Sequence, residues 1–330
     1  LSHIMKDETN VFIGWLNQES LKGVWDIVLK RKLDRYKRNN VREKIRPYYV
    51  YPAHEVMAAK PFSVPGRKLV ANVLEDPASF SAYRFSQFGG GAARMLKNLQ
   101  STEAQWLSTS YKYKEAQVSL SLSGCAFSDD LAAMLTISIG KTTKHYFLCP
   151  DISAADMHFL RASSLREYKL YKSFAATKEQ ERLLRNFWVL IKRCYGGDVR
   201  MGGVAISRKR RGLNSGAIWT TPAGIVAHCL AWRPMAPVFL SIVRSTIIAG
   251  PKGNVRFPEN SQIRSALLST PPKTQVGFLF KEATVGCLED TPDRRSIGTF
   301  LGMDIIRDST FECQFVPVMP KADVLRHLCR

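Results

Sequence analysis

The chain has 330 residues, with 48 Lys and Arg against 28 Asp and Glu, a formal net charge of +20. Its 45% hydrophobic content excludes intrinsic disorder, and 21 Gly and 16 Pro are too few for a collagen-like or low-complexity chain. Mean hydropathy is −0.15, and no uninterrupted run approaches the roughly 18 apolar residues of a membrane span. Charge this one-sided self-repels unless a polyanion neutralises it.

The opening Leu1-Ser2-His3-Ile4-Met5 reads as a cloning remnant ahead of a native Met5, so residues 1–5 are set aside. Residues 18–39 carry Leu21, Val24, Trp25, Val28, Leu33 and Tyr36 at mostly helical spacing, which predicts an amphipathic helix. Nine basic residues crowd positions 30–46 against Asp34 and Glu43. Residues 47–77 are rich in Pro and Tyr and predict an extended connection. Gly89-Gly90-Gly91 predicts a turn that opens a helix at 92–108. Val118, Leu120 and Leu122 alternate with serines, and Ala133, Leu135, Ile137 and Ile139 alternate likewise. With His145–Cys149 returning as a third strand, these form an antiparallel meander.

Helix is expected to dominate from about 151 to 195, with Thr177-Lys178-Glu179-Gln180 as a capping box. Residues 196–216 hold six Gly and predict a flexible basic loop. Thr221-Pro222 starts another helix, which Pro234 and Pro237 are expected to interrupt. Short strands at 275–281 and 311–316 and a closing helix near 321–329 complete the pass. The expected fold is α+β and mainly helical, with a small antiparallel β-meander (about 116–149) and helices on either side. Residues 6–150 read as a helical region plus the meander. Residues 151–330 read as a helical region, the 196–216 loop and a mixed C-terminal segment; one continuous domain is the alternative.

The basic clusters name a partner class. Lys30, Arg31, Lys32, Arg35, Lys37, Arg38, Arg42 and Arg46 form the first. Arg182, Arg185, Lys192 and Arg193 form the second, and Arg200, Arg208, Lys209, Arg210 and Arg211 the third. Phosphate backbones attract such clusters through charge and counterion release, without a precise motif. Tyr36, Tyr48, Tyr49 and Trp219 lie beside them and are candidates for base stacking. Arg208–Arg211 also fits a nuclear-import signal.

Other chemistry is sparse. Seven scattered Cys with no Cys-x-x-Cys pair read as reduced thiols and predict neither a disulfide framework nor a zinc site. His54, His145 and His228 read as structural. Gly89-Gly90-Gly91 lacks the ending of a phosphate-binding loop. Ser128-Asp129-Asp130 sits between two apolar strands, where paired Asp can hold two metal ions for nucleotidyl transfer; some viral RNA polymerases carry a similar Ser-Asp-Asp. With no further acidic motif placed beside it, the reading preferred here is a turn and helix N-cap.

Leu184-Arg185-Asn186-Phe187-Trp188 and Ala227–Trp232, with the following Val238–Pro251, resemble parts of orthomyxovirus-type nucleoproteins. The resemblance implies a mainly helical protein with a basic RNA groove, and Arg185 as an RNA contact. The leading expectation is therefore a sequence-tolerant single-stranded RNA-binding protein, a viral nucleoprotein that coats RNA as a homo-oligomer. It has no catalytic residue, metal, cofactor or membrane partner, and works in the cytoplasm, nucleus or virion. Two alternatives stand beside it: a nucleic-acid-processing enzyme using Asp129 and Asp130 with a divalent metal, and a DNA-binding replication or regulatory factor.

Overall fold

The structure is a computed structural model. It describes residues 27–31, 47–51, 56, 73–152, 162–194, 197–201, 204–209, 212, 214, 220–248, 254–270, 280–312, 314–319 and 324. In chain order the elements are β1 (Ile27–Arg31), β2 (Pro47–Val50), α1 (Gly91–Gln100), β3 (Leu107–Tyr113), β4 (Ala116–Phe127), β5 (Asp130–Ile139) and β6 (Thr142–Ile152). Then come α2 (Ala162–Lys172), α3 (Lys178–Cys194), β7 (Gly197–Met201), β8 (Val204–Lys209), α4 (Thr220–Ile248) and α5 (Asn260–Ser269). β9 (Phe280–Cys287), β10 (Ser296–Phe300), β11 (Met303–Arg307) and β12 (Phe315–Val318) close the series. Contacts divide the chain into two units: Leu1–Leu69 with Ala154–Ala227, and Val70–Ser153 with His228–Arg330.

The second unit is built on a five-stranded antiparallel sheet in the order β3-β4-β5-β6-β9. The period-two pattern at 118–122 and 133–139 forms its two central strands. Their register runs unbroken from Val118↔Ile139 to Phe127↔Asp130. Both faces of this hairpin are covered, so Ser121 and Ser123 are buried along with the apolar residues they alternate with. On one face Cys125, Ala132, Met134, Phe147 and Cys149 share a core with Ala92, Met95, Leu96 and Leu99 of α1. Phe300 and Ile305 of the three-stranded sheet β10-β11-β12 complete it.

Two close approaches hold these layers together. A Cβ at Gly91 would lie 1.8 Å from the Ser86 carbonyl oxygen, so only glycine lets the 86–91 turn fold onto the start of α1. A Cβ at Gly286 would lie 2.4 Å from the Ile297 carbonyl oxygen, so glycine lets β9 and β10 pack backbone against backbone. The expected 92–108 helix is shorter, because Ser101 turns to an extended conformation and β3 begins at Leu107.

α4 runs as one helix of 29 residues through both prolines. Pro234 and Pro237 are exposed, as is Arg233, whose carbonyl Pro237 leaves without a helical donor. Water replaces a lost helical bond at low cost on such a face. The opposite face buries Trp232, Met235, Phe239, Val243 and Ile247. Trp232 meets Trp106 edge-on at 6.1 Å and Phe280 at 6.0 Å. By length and composition α4 could cross a membrane, but half of that stretch is buried inside the protein.

The first unit contains a four-stranded sheet in the order β2-β1-β7-β8. Here the sequence expectations need correction. Residues 27–31 of the expected 18–39 helix form β1, antiparallel to β2 and parallel to β7. Ile27-Val28-Leu29 is a β-favouring run, and sheet pairing overrides its helical spacing. Within the expected 196–216 flexible loop, residues 197–201 and 204–209 instead pair as the antiparallel strands β7 and β8. The capping box at Thr177 is present. Gln180 N–H donates to Thr177 Oγ1 at 3.2 Å, and Ala176 N–H donates to Gln180 Oε1 at 2.7 Å. With about 35% helix and 34% strand the protein is not mainly helical.

Candidate active site

The β4–β5 hairpin turns on Ser128 and Asp129, two residues between the paired Phe127 and Asp130. No helix follows, so the expected N-cap role is replaced by a strand-to-strand turn. Ser128 adopts φ 57°, the left-handed region that disfavours a side chain. Where β3 stops at the Leu107↔Leu122 pair, residues 80–82 take its place beside β4. Ala82 N–H donates to Ala126 O, and Ala126 N–H donates to Phe80 O, each at 2.9 Å. Tyr83 stacks on Phe127 at 6.4 Å. The turn therefore projects from a base held on both sides.

β6 runs past the expected Cys149 end and brings a third carboxylate. Asp151 lies directly opposite Asp130 across the β5–β6 ladder. Like charges placed so repel each other. Asp130 still reaches solvent, yet enough protein surrounds it to raise its pKa to about 7. Desolvation is the larger cause, followed by the negative charges of Asp129 and Asp151. Among the described residues, no three Asp, Glu, His or Cys groups are already gathered as a ligand sphere. One reason is visible: Lys281 Nζ of β9 holds Asp151 Oδ2 at 2.6 Å.

His228 of α4 is fully buried beside the Asp129 backbone. Burial pulls its pKa down to about 4, so the ring stays neutral and acts as a packing and hydrogen-bonding group rather than an acid. Cys125 and Cys149 are buried near the same strand ends, and burial raises both thiols, Cys125 to about 12, so neither is a nucleophile. Cys287 is also buried, whereas Cys229 is exposed. His145 Nδ1 pairs with Glu289 Oε1 at 2.6 Å, a structural contact beside the Lys144–Asp290 ion pair.

Among the described residues, the first and third expected RNA clusters share the four-stranded sheet. Lys30 and Arg31 lie on β1, Arg200 on β7, and Arg208 and Lys209 on β8. The second cluster lies on α3. There Arg182 is engaged by Glu179 at 2.7 Å. Arg185 is exposed with no acidic partner among the described residues. Lys192 Nζ sits 4.1 Å over the Trp188 ring, which stacks on Tyr168 at 5.0 Å. Tyr49 is buried in β2 and so packs instead of offering a face to a base, while Tyr48 is half-buried. Lys32, Arg35, Tyr36, Lys37, Arg38, Arg42, Arg46, Arg210, Arg211 and Trp219 lie outside the described residues.

Asp151 and Lys281 were missed in the sequence. The signal for Asp151 was present: pairing Ile139 with Thr142 across the β5–β6 turn and counting back along both strands sets Asp130 against Asp151. Lys281 carried no such signal, because β9 joins the sheet from well over a hundred residues away.

Comparison with known proteins overturns the nucleoprotein expectation. No curated protein matches this chain. The birnavirus VP1–VP3 complex matches in fold with a TM-score of 0.51 at 14% identity, covering 96% of this chain and 39% of that one. RNA polymerase VP1 of Infectious Pancreatic Necrosis Virus gives a TM-score of 0.48 at 14% identity over 94% of this chain and 38% of that one. This chain thus spans well under half the length of the structures it matches. Neither the coat-protein function nor the expectation of a non-enzyme survives a family match that falls on a polymerase domain. Residues 25–239, well over half of the chain, match the permutotetravirus RNA-dependent RNA polymerase palm domain, and the chain belongs to that family.

Proposed function

We propose that this chain supplies the catalytic centre for nucleotidyl transfer onto RNA, with Asp129, Asp130 and Asp151 as the residues that hold divalent metal. The observation that carries this reading is Asp130 opposite Asp151 and beside Asp129; burial first, and then these two charges, raise its pKa to about 7. Carboxylate oxygens brought together in this way suit a hard divalent cation such as Mg²⁺ or Mn²⁺. A metal held there polarises a phosphoryl oxygen and makes an attacking hydroxyl more acidic.

The chain's own residues have distinct parts in this reading. Asp130 and Asp151 come from neighbouring strands, so the sheet sets their separation. Asp129 projects from the turn, which His228 backs from α4. The tight β4–β5 hairpin holds Asp129 and Asp130, and pairing of β6 with β5 and β9 holds Asp151. Exposed Arg185 and the basic residues of β1, β7 and β8 would track an RNA backbone through charge. The birnavirus VP1 match was solved with VP3; by analogy the proposed partners here are RNA, nucleoside triphosphates and a second viral protein, inside an infected cell.

Mn²⁺ titration of the full chain, followed by electron paramagnetic resonance, tests the metal site without requiring turnover. Asp130→Asn is expected to weaken Mn²⁺ binding by more than about 100-fold, beyond the usual effect of losing an outer-sphere partner. Primer extension with Mg²⁺ or Mn²⁺ tests the reaction, and Asp129→Asn and Asp151→Asn should abolish it. Unchanged Mn²⁺ affinity in all three variants rejects the reading.

A further inference from the structure

The β6–β9 register contains an irregularity at the site. Pro150 pairs with Ala283 and Asp151 with Glu282, but Ile152 pairs with Phe280. Lys281 is therefore an extra residue on β9, and such bulges re-aim a side chain out of strict alternation. The result is specific: Lys281 Nζ lies 2.6 Å from Asp151 Oδ2 and only 3.9 Å from Glu282 Oε1 beside it in sequence. A compact ammonium on a flexible stem thus sits at one side of the Asp129–Asp130–Asp151 cluster. Any cation that uses Asp151 must share its carboxylate with Lys281 or displace it.

We infer that Lys281 is a positioning residue that competes with divalent metal for Asp151 and so sets the affinity of the site. It holds Asp151 against β9 when no metal is bound and keeps the three carboxylates from collapsing around a stray cation. Metal binding then includes the release of Lys281. This inference rests on the reading of the three aspartates as metal ligands. Asp151 and Lys281 are each about half exposed, so the pair is easily broken and its effect is modest.

The test is Mn²⁺ affinity, read by electron paramagnetic resonance on the full chain. Lys281→Met is expected to bind Mn²⁺ about two- to fivefold more tightly, the range given by an exposed ion pair. Lys281→Arg keeps the charge and should retain the original affinity. The gain from Lys281→Met should vanish in an Asp151→Asn background, because the competition runs through that carboxylate. A gain that persists in the Asp151→Asn background, or no gain at all in a protein whose Mn²⁺ site depends on Asp130, overturns the inference and leaves the metal site standing. Absence of any Asp130-dependent Mn²⁺ binding overturns both.

Discussion

The two sheets of this protein solve different problems. The five-stranded sheet has central strands of 12 and 10 residues, largely buried and in unbroken register. The four-stranded sheet has strands of four to six residues, carries Lys30, Arg31, Arg200, Arg208 and Lys209, and shifts register between Val199 and Arg200. One is a stiff base that places acidic groups at its end. The other has basic residues in the sequence of its short strands. In the proposed reading, positive charge guides RNA to the chain and the acidic end of the long sheet holds the metal.

The comparison breaks most sharply in the core of the longer sheet. Leu135 is fully buried in β5. Leu135→Ala is expected to cost about 2–5 kcal/mol by loss of burial and creation of a cavity. Val204→Ala on β8, where the side chain is 65% exposed, should stay within about 0.5 kcal/mol. Chemical denaturation of both variants measures the difference; equal losses would mean that the shorter sheet is as tightly built.

The capping box predicts an intermediate effect. Thr177→Ala removes the acceptor for the Gln180 N–H and should cost about 1 kcal/mol, localised to α3. Hydrogen exchange of the first turn of α3 checks it. Ser128→Gly acts in the opposite direction: it removes a side chain from φ 57° and should gain about 0.5–1 kcal/mol in thermal melts.

The acidic end of the long sheet also gives a pH signature. The Asp130 pKa is raised in the folded protein, so the fold binds this proton more tightly than the unfolded chain does. Its contribution to stability is full below the ordinary carboxylate pKa of about 4 and is lost as pH rises to about 7. In the presence of EDTA, wild-type melting temperature should fall across that window, and Asp130→Asn should flatten the fall. A profile unchanged by the substitution would place the repulsion elsewhere. The smallest effect is expected at the basic surface: Arg185→Ala should weaken RNA binding evenly across sequences and reduce the salt slope by about one.

What could be read from the sequence followed local periodicity. Val118–Leu122 and Ala133–Ile139 declared their strands because alternation is local and burial enforces it. Thr177-Lys178-Glu179-Gln180 declared its helix start because a capping box spans only four residues. Residues 27–31 misled because a run of β-favouring side chains also met helical spacing, and pairing with distant β7 decided the outcome. The 196–216 stretch misled because six Gly looked like a loop, whereas residues 197–201 and 204–209 pair as strands.

The sequence alone determined the excess positive charge, the apolar hairpin and the presence of Ser128-Asp129-Asp130 at its tip. It favoured a turn and helix N-cap at that tip over a metal site, since two adjacent carboxylates satisfy both and no third was placed beside them. Tertiary structure decided the rest. Register across β5 and β6 set Asp151 against Asp130, and the bulge in β9 set Lys281 against Asp151. Those pairings are non-local, and charges interact through space, so neither can be read from spacing along the chain.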